Sequence, residues 1–355
     1  MAKNMMKYTN LGESGLRVSR VCVGCMSFGS RLGPFSTWAV EEDDALPIIN
    51  ACFEAGINFF DTANTYSNGT SEEILGAAIK KYAFPRDTIV VATKVCAPVG
   101  KRLEGGWEDP LLKMTPDERD AKGYVNAYGL SRKHIFDSVD ASLKRLGLEY
   151  IDLLQVHRFD ARTPVKETMK ALHDLVESGK VRYIGASSMW AHQLLEMQYT
   201  ARLHGWTEFI SMQNLHNAAY REEEREMVPS LKKFGMGMIP WSPIMMGYLA
   251  RPHDQAAESD RGKSMGGKFF GNELTKADLQ INEKIHEIAK KRGVSMAIVA
   301  MAWSLSKEYV TAPIVGMGKI ERVQEAVDAV NFELTKEEEA SIDEFYEAKK
   351  IIGFY

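Results

Sequence analysis

The stretch Gly56-Ile57-Asn58-Phe59-Phe60-Asp61-Thr62-Ala63-Asn64-Thr65-Tyr66 contains an apolar run that ends in a carboxylate and is followed by a phenol. Two later runs have the same form: Ile89-Val90-Val91-Ala92-Thr93-Lys94 ends in an ammonium, and Ile151-Asp152-Leu153-Leu154-Gln155-Val156-His157 ends in an imidazole. Short apolar runs of this kind are typical of buried strands. In a barrel of parallel strands the carboxyl ends converge on one mouth, where active sites are built. We therefore predict that Asp61, Tyr66, Lys94 and His157 meet in one site that can deliver a proton.

The same alternation of strand-like and helix-like segments continues along the chain. Strand candidates begin near Val21, Ile57, Ile89, Ile151, Val181, Phe209, Met236 and Val310. Helix candidates occupy residues 43–55, 71–82, 131–146, 165–178, 190–204, 221–234, 295–306 and 320–331. Strands that alternate with such helices predict right-handed βαβ units and a parallel sheet. We expect a single α/β domain over residues 1–355, an (α/β)8 TIM barrel. An open doubly wound sheet is the alternative, because strand order cannot be read from sequence.

Several residues mark the ends of these helices. Ser71 and Ser131 precede helical patterns and are predicted N-caps. Gly293 follows a basic stretch and is predicted to end a helix additional to the eight. The run Thr335-Lys336-Glu337-Glu338 has the spacing of a capping box before a terminal helix. We therefore expect extra helices beyond the eight barrel units.

Three other segments stand apart from the repeating pattern. Tyr8 to Leu11 and Leu16 to Val21 flank a Glu-Ser-Gly turn and predict an N-terminal β-hairpin. The segments from Cys96 to Leu130 and from Pro243 to about Lys276 are polar, contain glycine and follow strand ends. Loops of that length in a compact fold are usually lids or binding loops. We expect both at the carboxyl-terminal face of the barrel; a charged surface excursion is the alternative.

Composition excludes several classes of function. The chain has 355 residues, of which 45% are hydrophobic and 26% charged, which is typical of a globular protein with a full core. A formal net charge of -4 gives no reason to expect nucleic-acid or acidic-membrane binding. No secretory signal or transmembrane run is evident, so we expect a cytosolic protein. Cys22 and Cys25 have C-x-x-C spacing, but no second pair completes a zinc site, so we predict buried thiols and no metal.

The four residue types of the predicted site suit carbonyl reduction. The reaction needs hydride at carbon and a proton at the developing oxyanion. A phenol with an ordinary pKa of about 10 holds its proton at neutral pH, and the Lys94 ammonium should lower the pKa of Tyr66. Asp61 would keep Lys94 charged, and His157 could donate a hydrogen bond to the carbonyl oxygen. A Schiff-base aldolase using Lys94 is an alternative, although a carboxylate partner opposes the neutral amine that it needs.

These motifs resemble the aldo-keto reductase superfamily along essentially the whole chain. The stretch from Gly56 to Tyr66 is similar to the first family signature, and Thr93-Lys94 and Gln155-Val156-His157 are similar to its lysine and histidine segments. The resemblance implies that Tyr66 is the general acid, supported by Asp61, Lys94 and His157. It also implies NADPH or NADP+ bound in an extended pose across the barrel mouth without a Rossmann domain, and indeed no G-x-G-x-x-G motif opens a helix.

The resemblance further assigns positions to each part of the cofactor. Ser187, Ser188 and Gln213 with Asn214 correspond to the nicotinamide carboxamide site, and Trp241-Ser242-Pro243 corresponds to the stacking segment. The segment from Ile314 to Glu325 corresponds to the adenosine-phosphate site, where Lys319 and Arg322 would favour a 2′-phosphate and hence NADP over NAD. The predicted cofactor residues are Gly24, Met26, Asp61, Ser187, Ser188, Gln213, Trp241, Ser242, Pro243, Gly247, Leu249, Arg251, Gly316, Gly318, Lys319, Arg322 and Glu325.

Within the superfamily the chain is most similar to the fungal aryl-alcohol dehydrogenase-like and versiconal hemiacetal acetate reductase-like branch. His157-Arg158-Phe159-Asp160 and the segment from Tyr220 to Glu226 carry that similarity. It implies aldehyde substrates, aromatic ones above all, that would meet Tyr66 and His157, with Trp107, Tyr124 and Tyr128 in the first long loop as candidate substrate contacts. An NADP-sensing regulatory subunit, like the potassium-channel β subunits on this scaffold, is the alternative function. The physiological substrate and the oligomeric state are not predictable from these residues.

Overall fold

The computed structural model describes residues 5–31, 38–103, 106–107, 114–256, 263, 273–352 and 354. Twelve strands are defined in this part: β1 Tyr8–Asn10, β2 Arg17–Ser19, β3 Cys22–Gly24, β4 Phe59–Asp61, β5 Val90–Val95, β6 Arg102–Leu103, β7 Gly106–Trp107, β8 Ile151–Val156, β9 Val181–Ser187, β10 Ser211–Gln213, β11 Gly237–Met238 and β12 Ile314–Gly316. The described helices are α1 Glu42–Glu54, α2 Thr70–Lys81, α3 Pro116–Ala121, α4 Arg132–Leu146, α5 Val165–Glu177, α6 Ala191–His204, α7 Met227–Phe234, α8 His253–Ala256, α9 Lys276–Arg292, α10 Met296–Ser306, α11 Glu321–Asn331 and α12 Lys336–Asp343.

Eight parallel strands form the barrel in the order β11-β10-β9-β8-β5-β4-β3-β12. Isolated parallel bridges join Met238 to Val310 and Trp241 to Ile314, so the first and last strands of that order also meet. The amide of Ile314 donates to the carbonyl of Pro240 at 2.8 Å across the same seam. The predicted (α/β)8 barrel is therefore confirmed, and the open sheet is not formed.

Strand periodicity separates two hydrophobic layers. Phe59, Val90 and Leu153 belong to a cluster inside the barrel, whereas Phe60 and Leu154, one residue later in their strands, belong to the larger cluster between the barrel and the helices. Successive strand residues face opposite sides of a sheet, so this alternation is expected of strands buried on both faces. It also fixes which residues at the strand ends point into the mouth.

The predicted hairpin is confirmed and closes the amino-terminal end of the barrel. Strands β1 and β2 pair antiparallel, and Leu11 and Val18 join the inner cluster. Gly12, at φ +59°, passes so close to the backbone of α7's exit turn that an added Cβ would lie 2.4 Å from the carbonyl oxygen of Gly235. Only glycine fits this approach. The site must therefore form at the opposite end.

Most predicted helices are confirmed within one residue at each end, and Ser131 caps α4 by accepting from His134 N at 3.3 Å. The prediction of Ser71 as an N-cap was wrong: α2 begins at Thr70, and the Ser71 hydroxyl donates to the Cys25 carbonyl instead. The helix predicted at 221–234 begins only at Met227, after a short 3-10 turn at Glu222–Glu224. Gly293 ends α9 and Thr335 caps α12, as predicted.

The long segments contain structure that the sequence pattern did not indicate. The first includes the β6–β7 pair and α3, and the second includes a 3-10 turn at Met245–Ala250 and α8. None of the helices in the described part of the chain has the length and apolar character that a membrane crossing requires. Cys22 and Cys25 are buried free thiols, as predicted.

The carboxyl-terminal segment packs on loops at the mouth of the barrel. The backbone amide of Lys349 donates to Glu222 at 2.7 Å, and its ammonium pairs with Asp278 at 2.7 Å. The amide of Ile352 donates to the Tyr220 hydroxyl at 3.0 Å, and the Phe354 ring meets Trp190 edge-on at 5.0 Å. These contacts hold the tail against the carboxyl-terminal face.

Candidate active site

The side chains at the mouth follow from the same strand alternation. Asp61 lies two residues after Phe59, and Lys94 lies two after Ala92, so both point inward like the cluster residues before them. Leu153 is likewise followed by Gln155 on the inner face of β8. Asp61, Lys94 and Gln155 are nearly or fully buried. The mouth of the barrel therefore carries a polar layer directly above an apolar one.

The Lys94 ammonium is the centre of this layer. Its Nζ donates to Asp61 Oδ2 at 2.6 Å, to the carbonyl of Thr62 at 2.8 Å and to the Tyr66 hydroxyl at 3.1 Å. Three donors thus meet three acceptors, which satisfies the hydrogen-bonding capacity of an ammonium. Asp61, Lys94 and Tyr66 are brought together as predicted from their strand ends, and the ammonium touches both the carboxylate and the phenol.

A strained turn places Tyr66. The residue begins a 3-10 turn, Tyr66–Gly69, in which Ser67 and Asn68 have φ of +46° and +51°. Residues other than glycine rarely adopt this left-handed region. Gly29 packs against the turn so closely that an added Cβ would lie 1.9 Å from Ser67 Oγ, while Asn68 Oδ1 accepts from the Gly100 amide at 3.1 Å. Contacts from two other segments therefore hold the strained backbone that orients the phenol.

Burial and neighbouring charges set the protonation states of Lys94 and Tyr66. Burial acts to lower the pKa of Lys94, but the Asp61 carboxylate and the Tyr66 hydroxyl outweigh it, so the pKa of Lys94 is raised above its ordinary value. The ammonium is therefore charged at neutral pH. A charged lysine is not a Schiff-base nucleophile, which disfavours the aldolase alternative.

The pKa of Tyr66 is raised, whereas the sequence predicted that Lys94 would lower it. Burial raises the pKa of Tyr66 above its ordinary value, and the Lys94 ammonium offsets only part of this rise. Asp61 also acts to raise it. The phenol therefore holds its proton firmly at neutral pH, and the neighbouring cation serves to limit the penalty of forming a buried phenolate.

His157 meets Tyr66 ring to ring. Their centroids are 5.8 Å apart in an edge-on arrangement, and the His157 backbone amide donates to Val95 O at 2.9 Å. Burial, with the charges of Arg158 and Lys94, places the pKa of His157 well below its ordinary value. The ring is therefore neutral, with one N–H to donate, and its buried Nδ1 has no partner among the described residues.

Two glutamines extend the layer, and one of them was not predicted. Gln155 Nε2 and Gln213 Nε2 both donate to Asp61 Oδ1 at 2.9 Å, and Gln213 Nε2 also lies 2.9 Å from Gln155 Oε1. Asp61 thus accepts from three side chains, which fixes its position under Lys94. The inner-face alternation of Leu153, Gln155 and His157 could have identified Gln155.

A second polar group lies at the ends of β9 and β10. Ser187 Oγ donates to the Gln213 carbonyl at 2.7 Å, and Trp241 Nε1 donates to Ser188 Oγ at 3.2 Å. Asn214 Oδ1 accepts from the Ser188 amide at 2.6 Å. Ser188, with φ of +44°, is buried at this junction. The serine and glutamine positions predicted for the carboxamide are therefore adjacent to one another and to Trp241, which was predicted to stack on the nicotinamide, although Asn214 is already engaged within the protein.

Glu223 is an unpredicted acidic residue behind this group. Its Oε2 accepts from Asn214 Nδ2, and the side chain is 3% exposed. Burial raises the pKa of Glu223 to about 8, opposed by the Asn214 hydrogen bond. The carboxyl group is therefore largely protonated at neutral pH. The motif from Tyr220 to Glu226 contains this residue, but sequence alone does not reveal which of its acids is buried.

A cavity lies beside the start of α11. Its volume is about 380 Å³, and it is lined by Ala250, Ala297, Lys319, Glu321, Arg322 and Glu325. Arg251 does not line the cavity, but burial and the charge of Arg322 both lower its pKa. Three of the residues predicted for the adenosine-phosphate site, Lys319, Arg322 and Glu325, therefore line one cavity, in which two cations and two carboxylates meet.

The remaining predicted cofactor positions divide into two groups. Gly24 and Gly316 are direct partners in the β3–β12 pairing, and Met26, at 40% exposed, follows β3 at the mouth. Gly318 is exposed on the same rim, just before Lys319. Ser242, with φ of +61°, has a hydroxyl that accepts from the Met246 amide at 3.1 Å. By contrast, Pro243 is buried, Leu249 packs in a core cluster, and Gly247 at φ +99° shapes the turn between them.

The candidate substrate residues of the first long loop make contacts within that loop. Tyr124 is buried, and its hydroxyl accepts from the Lys101 amide at 2.9 Å. The Tyr128 hydroxyl donates to Asp120 at 3.1 Å, and the guanidinium groups of Arg119 and, from the loop after β8, Arg162 lie 5.0 and 4.9 Å from its ring centroid. These contacts stabilise the loop rather than extend toward Tyr66. The Trp107 side chain lies outside the described part of the structure.

Comparison with known proteins identifies the relatives of this barrel. The model of the "Aldo/keto reductase family" matches residues 20–347. The chain is 46% identical to the versiconal hemiacetal acetate reductase of Aspergillus parasiticus over 98% of both sequences. It is 47% identical to a putative aryl-alcohol dehydrogenase of Schizosaccharomyces pombe, covering 96% of this chain and 95% of the relative. It is also 44% identical to the aldo-keto reductase AMT2 of Alternaria alternata, covering 96% and 92%.

Proposed function

Because the chain belongs to the aldo-keto reductase family and to its fungal aryl-alcohol dehydrogenase-like branch, we propose that it reduces aldehydes to alcohols with NADPH. Aromatic aldehydes are the proposed preferred class, with ketones as further substrates. The single observation that carries the proposal is the Lys94 ammonium, which bridges Asp61 at 2.6 Å and the Tyr66 hydroxyl at 3.1 Å at the barrel mouth. We also propose that residues 1–355 form one domain; a cytosolic location stays a prediction.

In this proposal Tyr66 is the catalytic acid. The raised pKa of Tyr66, due first to burial, keeps the phenol protonated until substrate needs the proton. When negative charge develops on the carbonyl oxygen, the Tyr66 hydroxyl donates its proton, and Lys94 stabilises the phenolate that remains. Asp61 keeps Lys94 charged and in place. Neutral His157 donates a hydrogen bond to the same carbonyl oxygen.

The residues around the mouth fit NADPH, which supplies the hydride when bound. Ser188 offers its hydroxyl and Gln213 its side-chain oxygen to a carboxamide, a ligand that both donates and accepts, while the Gln213 amide nitrogen already donates to Asp61 and Gln155. Trp241 lies beside them, its indole N–H on Ser188 Oγ, in the position proposed to flank the nicotinamide. The fit rests on this clustering of polar groups next to the catalytic residues.

The cavity beside α11 fits a phosphorylated ribose. Lys319 and Arg322 line it, and no ion pair involving either is formed within the described residues. In the first turn of α11 the amides of Arg322 and Val323 already donate to the carbonyls of Lys319 and Ile320, so the proposed phosphate site depends on the two side-chain cations. Unpaired cations favour a dianion. We therefore propose selectivity for NADPH over NADH.

The proposal is tested by NADPH consumption with a panel of aldehydes that includes 4-nitrobenzaldehyde, followed by the reverse assay with the best alcohol and NADP+. The expected result is turnover of several aromatic aldehydes. Tight NADPH binding without turnover of any panel member would instead favour the cofactor-sensing alternative. Borohydride trapping of substrate on Lys94 would favour the aldolase alternative.

A further inference from the structure

Arg158 is a cation at the candidate active site that the proposed mechanism does not use. It follows His157 directly at the carboxyl end of β8. Its Nη1 donates to the His157 carbonyl at 2.6 Å, and no carboxylate of the described residues forms an ion pair with it. The guanidinium is thus held at the backbone of the residue whose ring meets Tyr66 at 5.8 Å, and its charge acts to lower the pKa of both Tyr66 and His157.

Several partly buried arginines outside the proposed cofactor cavity have more partners than Arg158. Arg145 pairs with Glu72 at 2.6 Å, Arg86 pairs with Asp152 at 2.7 Å, and Arg221 pairs with both Glu224 and Asp343. Arg20 lacks a carboxylate but donates to two backbone carbonyls. Among the described residues the Arg158 guanidinium makes a single hydrogen bond, to the residue next to it, although a guanidinium offers five N–H groups.

An unpaired cation in a desolvated position is costly, and burial lowers the pKa of Arg158. The cost is offset when a ligand brings the missing anion. A guanidinium matches a carboxylate in a planar, two-bond arrangement that few other pairs equal. The cations proposed for the 2′-phosphate of the cofactor, Lys319 and Arg322, line a separate cavity beside α11, so that phosphate does not need Arg158.

We propose that Arg158 binds a carboxylate carried by the carbonyl substrate. The inference rests on the proposed reductase function and narrows its substrate class to aldehydes and ketones with a carboxylate close to the reacting carbonyl. The carbonyl oxygen would meet Tyr66 and His157 while the carboxylate meets Arg158. A purely structural role, in which Arg158 only holds the His157 backbone, is the alternative.

The test compares charged and neutral forms of one substrate. Initial rates with NADPH are measured for 3- and 4-carboxybenzaldehyde and for their methyl esters, and the ratio of kcat/KM for acid over ester is taken for each isomer. A charge-assisted hydrogen bond predicts a wild-type ratio of about 10 to 100 for at least one isomer. Arg158→Gln should bring that ratio to about 1, and Arg158→Lys should restore part of it.

Arg162→Gln is the matched control. Arg162 lies on the same loop, but its side chain is 53% exposed and it already contacts Asp160 at 3.6 Å. This variant should keep the wild-type ratio. A wild-type ratio at or below 1 for both isomers would overturn the inference. An equal loss of acid and ester turnover in Arg158→Gln would do so as well, because a structural role predicts that result.

A binding measurement separates this inference from the proposed function. Benzoate and benzamide are titrated calorimetrically into the NADPH-saturated protein, in wild type and in Arg158→Gln. If no aldehyde is turned over but benzoate binds only to wild type, Arg158 is an anion site and the reductase proposal alone fails. If benzoate binds no better than benzamide to wild type, the assignment of Arg158 fails whatever the turnover.

Discussion

Replacing Tyr66 with phenylalanine removes one hydroxyl and leaves most of the site intact. Lys94 keeps its bonds to Asp61 at 2.6 Å and to the Thr62 carbonyl at 2.8 Å, so its charge and position do not depend on the phenol. Loss of a positioned acid costs about 10²- to 10⁴-fold in rate. That range corresponds to roughly 3 to 5 kcal/mol of activation free energy. We expect kcat for 4-nitrobenzaldehyde to fall by this factor in Tyr66→Phe.

Two further measurements accompany the rate. The dissociation constant for NADPH, followed by cofactor fluorescence, should stay close to the wild-type value, because the proposed cofactor contacts lie on other residues. Tyr128→Phe is the control: it also removes a phenolic hydroxyl, one that donates to Asp120 in the loop, and its kcat should be unchanged. Wild-type kcat in Tyr66→Phe would refute the assignment of the acid.

The pH profile tests the same residue independently. Burial raises the pKa of Tyr66 above its ordinary value, so the phenol is protonated across neutral pH and reduction should slow only in alkaline solution. Oxidation of the alcohol needs the phenolate and should accelerate as pH rises through the same pKa. In Tyr66→Phe the residual activity should lack this inflection. If the wild-type reduction rate already decreased with rising pH at values under 7, the raised pKa of Tyr66 would be contradicted.

Two other predictions concern the cofactor and the buried acid. Replacing Lys319 and Arg322 together with alanine should raise KM for NADPH at least about tenfold, through loss of charge-assisted bonds, and leave KM for NADH unchanged; Lys336→Ala, on an exposed side chain, is the control. When pH rises from 5 to 8, Glu223→Gln should lose less free energy of unfolding than wild type. Burial raises the folded-state pKa of Glu223 to about 8, so unfolding releases its proton and wild type loses roughly 4 kcal/mol as pH rises through this window. Urea unfolding of wild type and Glu223→Gln at pH 5 and pH 8 measures this difference in stability. Besides burial, Asn214 and Glu222 act on the pKa of Glu223. An equal pH dependence of stability in the two proteins would contradict the assignment.

The barrel was predictable because strand periodicity and helix punctuation are local. The boundaries that were predicted wrongly are set by contacts between distant parts of the chain. The last strand begins at Ile314 rather than near Val310, since Pro313 has no N–H for a ladder and the preceding residues instead bridge to β11. The helix predicted from 221 starts late because Glu222 and Glu224 turn toward tertiary partners, Tyr346 and His216.

The members of the site were predictable, but their electrostatics were not. Strand alternation brings Asp61 and Lys94 to one mouth, and sequence shows that a cation stands near Tyr66. It does not show how far each group is removed from water. Burial is the largest influence on the pKa of Tyr66 and reverses the expected direction. For the same reason the sequence did not distinguish Arg158 or Glu223 from ordinary exposed charges in their motifs.

The charges at the mouth do not cancel, and this links acid catalysis to substrate choice. Asp61 and Lys94 form a neutral pair at 2.6 Å, while Tyr66 and His157 are both uncharged at neutral pH. Arg158 therefore leaves the site with one net positive charge before substrate arrives. A carboxylate on the substrate would neutralise it, whereas a neutral aldehyde would leave it unpaired. When Tyr66 gives up its proton, Arg158 and Lys94 both lower the cost of the phenolate, because the charge of each acts to lower the pKa of Tyr66. Arg158→Gln should therefore shift the alkaline inflection of reduction to higher pH even with an ester substrate, and an unshifted profile would show that its charge does not reach the phenol.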